Sequence, residues 1–71
     1  METVTLREGD SFIRLGQALK KAGIADSGAE AAALIAAGSV RVNGETETRR
    51  GRKLYDGDSF VYGARQVQIT A

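Results

Sequence analysis

The chain has 71 residues, with ten Lys/Arg against nine Asp/Glu for a formal net charge of +1, no His and no Cys. That length fits one domain near the lower limit for folding alone, in which about 60% of the unfolded chain's surface can be buried, and the missing thiols and imidazoles exclude disulfides and the usual ligands for zinc and haem. No window approaches the ~18 apolar residues of a membrane span, and the N-terminus lacks a basic start followed by a long apolar run, so a cytosolic protein is expected, held by packing alone, with no cofactor and no membrane partner.

Val4 and Leu6 alternate with Thr3 and Thr5, the period of a short half-buried strand that ends at the turn-prone Arg7-Glu8-Gly9-Asp10. Leu15, Ala18, Leu19 and Ala22 then follow i, i+3, i+4, i+7, which predicts a helix with Arg14, Gln17 and Lys21 on its polar face, Lys20 beside them, and Gly23 at a left-handed C-cap. Ser27-Gly28-Ala29-Glu30 is a capping box: the Ser hydroxyl accepts from the Glu30 N–H, and the Glu carboxylate reaches back to the Ser27 N–H. Ala31, Leu34 and Ile35 supply the second helix's apolar stripe, facing Leu15 and Leu19, and Gly38 ends it. Six alanines between residues 29 and 37 raise helix propensity and allow close approach. This helix is almost uncharged, which predicts packing rather than groove reading.

After Gly38 the period becomes two. Val40-Arg41-Val42 alternates into Asn43-Gly44, where both residues of a type I′ turn need positive φ, and Glu45-Thr46-Glu47 returns antiparallel. Asp56-Gly57 turns the chain into Ser59-Phe60-Val61-Tyr62, and Gly63-Ala64 separates this from Arg65-Gln66-Val67-Gln68-Ile69, where Val67 and Ile69 share a face. The predicted fold class is α+β: a strand, two helices, then a small, mostly antiparallel sheet, in a single domain over residues 1–71.

Arg49-Arg50-Gly51-Arg52-Lys53 puts four cations into five residues with no acid among them. Residues 39–71 carry six Lys/Arg against four Asp/Glu, while residues 1–38 carry four against five, so the C-terminal half is the electropositive one. A block of Arg around a Gly focuses positive potential suited to phosphate oxygens; the planar Arg fork can bridge two of them or a guanine edge, and Gly51 removes a side chain where the backbone would approach a ligand. The low overall charge argues for local, shaped binding. A solvated basic turn is the bland alternative. Tyr55 and Tyr62 are read as core or rim packing rather than base stacking. Asp56 and Asp58 are explained by their turn, and no nucleophile–base pair, P-loop or Gly-x-Gly-x-x-Gly accompanies them, so no enzyme is expected.

Phe12-Ile13-Arg14-Leu15-Gly16-Gln17-Ala18-Leu19-Lys20 through Gly23-Ile24-Ala25-Asp26-Ser27, then Ala31, Leu34-Ile35, Gly38, Val40-Arg41-Val42-Asn43-Gly44 and Gly57-Asp58, resembles the RNA-binding domain named for small-subunit ribosomal protein S-four, over about residues 12 to 62. The stretch from Glu47 to Asp58 resembles that family's stand-alone bacterial branch, typified by the YbcJ and YaaA proteins. The resemblance implies a two-helix αL motif packed on a bent antiparallel sheet. It also implies binding of structured RNA, ribosomal RNA or ribosomal particles foremost, in translation or ribosome assembly; a monomer is expected. Carried over residue by residue, the RNA-binding positions are Arg14, Ser27, Gly28, Arg41, Asn43, Arg49, Arg50, Arg52 and Lys53, flanked by Lys20 and Lys21. Capping competes with binding at Ser27 and Gly28, and turn chemistry competes at Asn43. Gly28 stands where many family members have Arg or Lys after the Ser, and Gly16 where many have an acid after the Arg-Leu pair, which shifts the expected affinity toward Arg14 and Arg49 to Lys53. A protein-interaction module whose basic loop docks an acidic partner is the alternative.

Overall fold

In a computed structural model that describes all 71 residues, β1 (Glu2–Thr5) lies parallel to β7 (Arg65–Thr70), with Val4 opposite Ile69. β7 pairs antiparallel with β6 (Ser59–Tyr62), β6 with β3 (Val40–Val42), and β3 with β4 (Glu45–Thr46). The sheet order is therefore β1-β7-β6-β3-β4, antiparallel except at the first pair. Period-two patterning sorts its faces: Val4, Val40, Val42, Phe60, Val67 and Ile69 are buried, while Thr3, Arg41 and Gln66 on the opposite face are exposed. Asn43 and Gly44 have φ of 50° and 87°, the pair of positive values that the Asn-Gly turn requires.

The buried face is covered by α1 (Leu15–Lys21) and α2 (Gly28–Ala36). Helices of seven and nine residues are too short to persist alone in water, so their termini and packing hold them. Each ends in a Schellman motif: Gly23 has φ 73° with the Ile24 N–H donating to the Leu19 carbonyl at 2.9 Å, and Gly38 has φ 77° with the Ser39 N–H donating to the Leu34 carbonyl at 3.2 Å. At the start of α2 the Ser27 hydroxyl accepts from the Glu30 N–H at 3.1 Å, as expected, but the Glu30 carboxylate accepts from the Asp26 N–H at 3.1 Å rather than from Ser27. The box closes one residue earlier, so Asp26 is tied as well. Leu15, Ala18 and Leu19 of α1 and Ala31 and Ile35 of α2 are buried, whereas Leu34 is only half-buried. The stripe of α2 is narrower than its sequence predicts.

A second, two-stranded sheet was not expected: β2 (Phe12–Arg14) pairs antiparallel with β5 (Lys53–Tyr55). Its register sets Phe12 opposite Tyr55, Ile13 opposite Leu54 and Arg14 opposite Lys53. Ile13 and Leu54 pack on the core, which sends Phe12, Tyr55, Arg14 and Lys53 to the outer face together. Lys53 is thus a strand residue and not part of the basic loop. The pairing continues into α1, since the Leu15 N–H donates to the Arg52 carbonyl at 2.8 Å and the Gly16 N–H to the Arg50 carbonyl at 2.9 Å. The basic run is stitched to the start of the first helix through its backbone. At the opposite end of α1, Arg65 of β7 pairs with Glu2 of β1 and donates to the Ala22 carbonyl at 2.7 Å. No helix is long and apolar enough to cross a membrane.

Candidate nucleic-acid interface

The basic turn is built around a carboxylate. Glu47, only 6% exposed, accepts from the backbone N–H of Thr48 at 3.1 Å and of Arg49 at 3.0 Å, from Arg49 Nε at 3.0 Å and Nη2 at 3.2 Å, and from Arg52 Nη1 at 2.8 Å. The bonds from Arg49 and then Arg52 hold its carboxyl down to about 2 from the ordinary 4.5, against the opposing push of burial. Two of the four cations expected to face a ligand as one block are therefore countercharged from within. Arg50 and Lys53 are the two that Glu47 does not engage.

Arg50 looks elsewhere. With Arg14 and Lys20 it lines an open cleft of about 230 Å³, whose remaining wall is contributed by Gln17 and by Gly16, Gly28 and Gly51. The cleft lies between the starts of α1 and α2 and the turn that follows β4. No carboxylate lines it. Arg14 is braced there: its Nη1 donates to the Gly51 carbonyl at 2.8 Å, and its backbone N–H donates to Gln17 Oε1 at 3.3 Å. Gly51 has no left-handed φ, and a Cβ built on it would meet Arg14 Nη1 at 3.6 Å, so this glycine faces the guanidinium rather than an empty approach path. Gly28 opens α2 with nothing within 4 Å of a Cβ position, and as in any helix the first N–H groups of that turn have no intrahelical acceptor.

The outer face of β2 and β5 adds an aromatic surface. The Phe12 and Tyr55 rings lie 5.9 Å apart and tilted by 53°. The Phe12 ring has Arg14 Cζ at 5.6 Å and Lys53 Nζ at 4.9 Å from its centroid, both within cation–π range. Tyr62 packs against the core as expected, but Tyr55 is 47% exposed. Of the two packing positions read from the sequence, Tyr55 takes the rim and not the core, because β5 is a strand whose alternation turns Leu54 inward and Tyr55 out against Phe12.

Of the residues singled out from the sequence, the fold brings Arg14, Gly28 and Arg50 to the cleft and raises Lys20 from flanker to lining residue. Ser27 caps α2. Lys21 leaves the group, since its Nζ donates to the Thr5 carbonyl at 2.9 Å. Arg41 lies on the exposed outer face of the larger sheet, between Thr46 and Val61 in the register, away from the helices. Asn43 is occupied at both ends of its amide, donating to Asp58 Oδ1 at 3.1 Å and accepting from the Ser59 N–H at 3.0 Å. Sequence reasoning missed Glu47, Phe12 and the exposure of Tyr55. The spacing of Glu47 two and five residues before Arg49 and Arg52 was the available signal for the first.

A family model described as S4 domain matches residues 4–70. "Putative RNA-binding protein YbcJ" of Escherichia coli (strain K12) is 37% identical over 59 residues, covering 83% of this chain and 84% of its own. "Probable ribosome maturation protein RlbA" of Bacillus subtilis (strain 168) is 50% identical over 47 residues, 66% of each chain. The solution structure of YbcJ from Escherichia coli, described as revealing an αL motif involved in RNA binding, superposes with a TM-score of 0.73 at 35% identity, covering 100% of this chain and 89% of that one.

Proposed function

Since this chain belongs to the S4 domain family and has the αL fold of YbcJ, we propose that it is a non-catalytic RNA-binding module that seats the backbone of a structured RNA in the cleft between its two helix starts. The observation that carries this reading is the convergence of Arg14, Lys20 and Arg50 on one cleft that no carboxylate lines. Cations so placed attract phosphates without first breaking an internal ion pair, and the Arg forks can each bridge two phosphate oxygens. Gly28 leaves the start of α2 open to an approaching phosphate. Lys53, Arg52 and Arg49 extend the positive surface beyond the cleft, the latter two weakened by Glu47. Arg41 and Asn43 stand outside this site. The name of YbcJ supports RNA as the ligand, and that of RlbA supports ribosome maturation as the setting; ribosomal RNA as the target, and a single-domain cytosolic monomer as the acting form, are part of this proposal.

The test is the Lys20→Ala/Arg50→Ala double variant, whose exposed side chains make no hydrogen bond to the rest of the fold. Its affinity for ribosomal RNA fragments should fall roughly tenfold or more, with unchanged circular dichroism. An unchanged affinity refutes the cleft. Recovery of a protein in pull-downs that survive nuclease treatment, lost in the same variant, would favour docking to an acidic partner.

A further inference from the structure

We propose that a second groove, adjoining the cleft at Gly51, binds an unpaired nucleobase stacked on Tyr55; this rests on the RNA reading above and adds a single-strand subsite to it. The groove is shallow and open, lined by Arg49, Gly51, Arg52, Lys53 and Tyr55, with about 550 Å³ of space over them. Its chemistry differs from that of the cleft. Glu47 countercharges Arg49 and Arg52, so Lys53 is the one cation of this groove without a carboxylate partner, and Lys53 itself lies over the Phe12 ring. The pull on a phosphate is correspondingly weaker here. What the groove offers is the ring of a half-exposed tyrosine beside two guanidinium groups held in place by a buried carboxylate.

Flat, weakly hydrated surfaces of that kind fit a base better than a phosphate, because every base has a π-face and stacks on tyrosine and on arginine alike. The position of Tyr55 is also built rather than incidental. Leu54 is fully buried, which fixes β5, the Tyr55 N–H donates to Asp58 Oδ2 at 2.7 Å, and Phe12 supports the ring from the paired strand. Because both sites share Gly51, a strand whose paired part lies in the cleft can lead directly into the groove with its first unpaired nucleotide. Unpaired bases at helix ends and loops are where proteins reach RNA bases at all.

The experiment compares a short RNA hairpin with a blunt end and the same hairpin extended by an adenosine tail, binding to the wild type, to Tyr55→Leu and to Tyr55→Phe. The wild type should prefer the tailed RNA by roughly fivefold to a hundredfold, the range of one stacked base. Tyr55→Leu should lose that preference while binding the blunt hairpin as before, and Tyr55→Phe should keep it. The chain has two Tyr and no Trp, so its tyrosine emission is directly readable. It should be quenched by the tailed RNA and only weakly by the blunt one. A tail preference that survives Tyr55→Leu, or a wild type that binds both hairpins equally, overturns the base subsite and leaves the cleft standing. A wild type that binds neither hairpin overturns both.

Discussion

A carboxylate that is 6% exposed and accepts five hydrogen bonds, two of them from backbone N–H groups, cannot be altered without unsettling the turn it organises. Glu47→Gln should therefore destabilise the domain by about 1.5–3 kcal/mol, the range for hydrogen bonds to a charged group, read as a lower urea midpoint. The pH dependence has a definite sign. The folded carboxyl titrates near 2 and the ordinary one at 4.5, so the folded state binds fewer protons and gains stability from this group above pH 4.5. That gain drains away as the pH falls toward 2. The gap between wild type and Glu47→Gln should be full at neutral pH and shrink markedly at about pH 3; a gap that does not change with pH would mean that Glu47 acts by shape alone. The four cations of the basic run were plain in the sequence, but their division was not. Nothing in Arg49-Arg50-Gly51-Arg52 says that the first and last curl back to Glu47 while Arg50 turns toward α1, because that sorting depends on the backbone bonds from Leu15 and Gly16 to Arg52 and Arg50.

The helices and the larger sheet were readable because their signals are redundant. Each helix has an apolar stripe and a glycine whose positive φ closes a Schellman motif, and the Asn43-Gly44 turn fixes the register of β3 with β4. β2 and β5 gave no such signal. Each has three residues with a single inward side chain, Ile13 or Leu54, too few to show a period, and β2 runs straight into α1. Missing this ladder hid the shared outer face of Phe12, Tyr55, Arg14 and Lys53. Helix α2 was read too broadly for a related reason: with six alanines between residues 29 and 37 several of its faces can pack closely, and only the structure shows which one does. Ile35 is fully buried and Leu34 is not. Ile35→Ala should cost about 2–5 kcal/mol, a large share of the stability of so small a domain, and Leu34→Ala distinctly less. Equal shifts of the two denaturation midpoints would show that α2 is rotated from the orientation described.

At the scale of the whole molecule the charge balance is close to neutral, and what distinguishes this protein from a generic polycation is where its uncompensated cations stand. Three of them meet at one cleft, Arg49 and Arg52 are held by Glu47, and Arg65 is held by Glu2. Counterion release then makes a quantitative prediction. With about three phosphates engaged by Arg14, Lys20 and Arg50, log affinity should fall with log salt at a slope of roughly −2 to −3, between the single-strand and duplex coefficients. Arg50→Gln should flatten the slope by about one, whereas Arg49→Gln should change it little, because its charge is already spent on Glu47. Equal effects of the two substitutions would mean that the turn acts as an undivided cation block. Salt dependence alone does not establish recognition of shape, so the same measurements belong beside a competition at physiological salt between structured ribosomal RNA fragments, matched duplex DNA and heparin. A cleft between two short helices can sense the wide, shallow groove and ribose hydroxyls of an RNA helix, which B-form DNA and heparin do not present. The RNA fragments should therefore win per unit charge, and a tie among the three would reduce the cleft to a polyanion site.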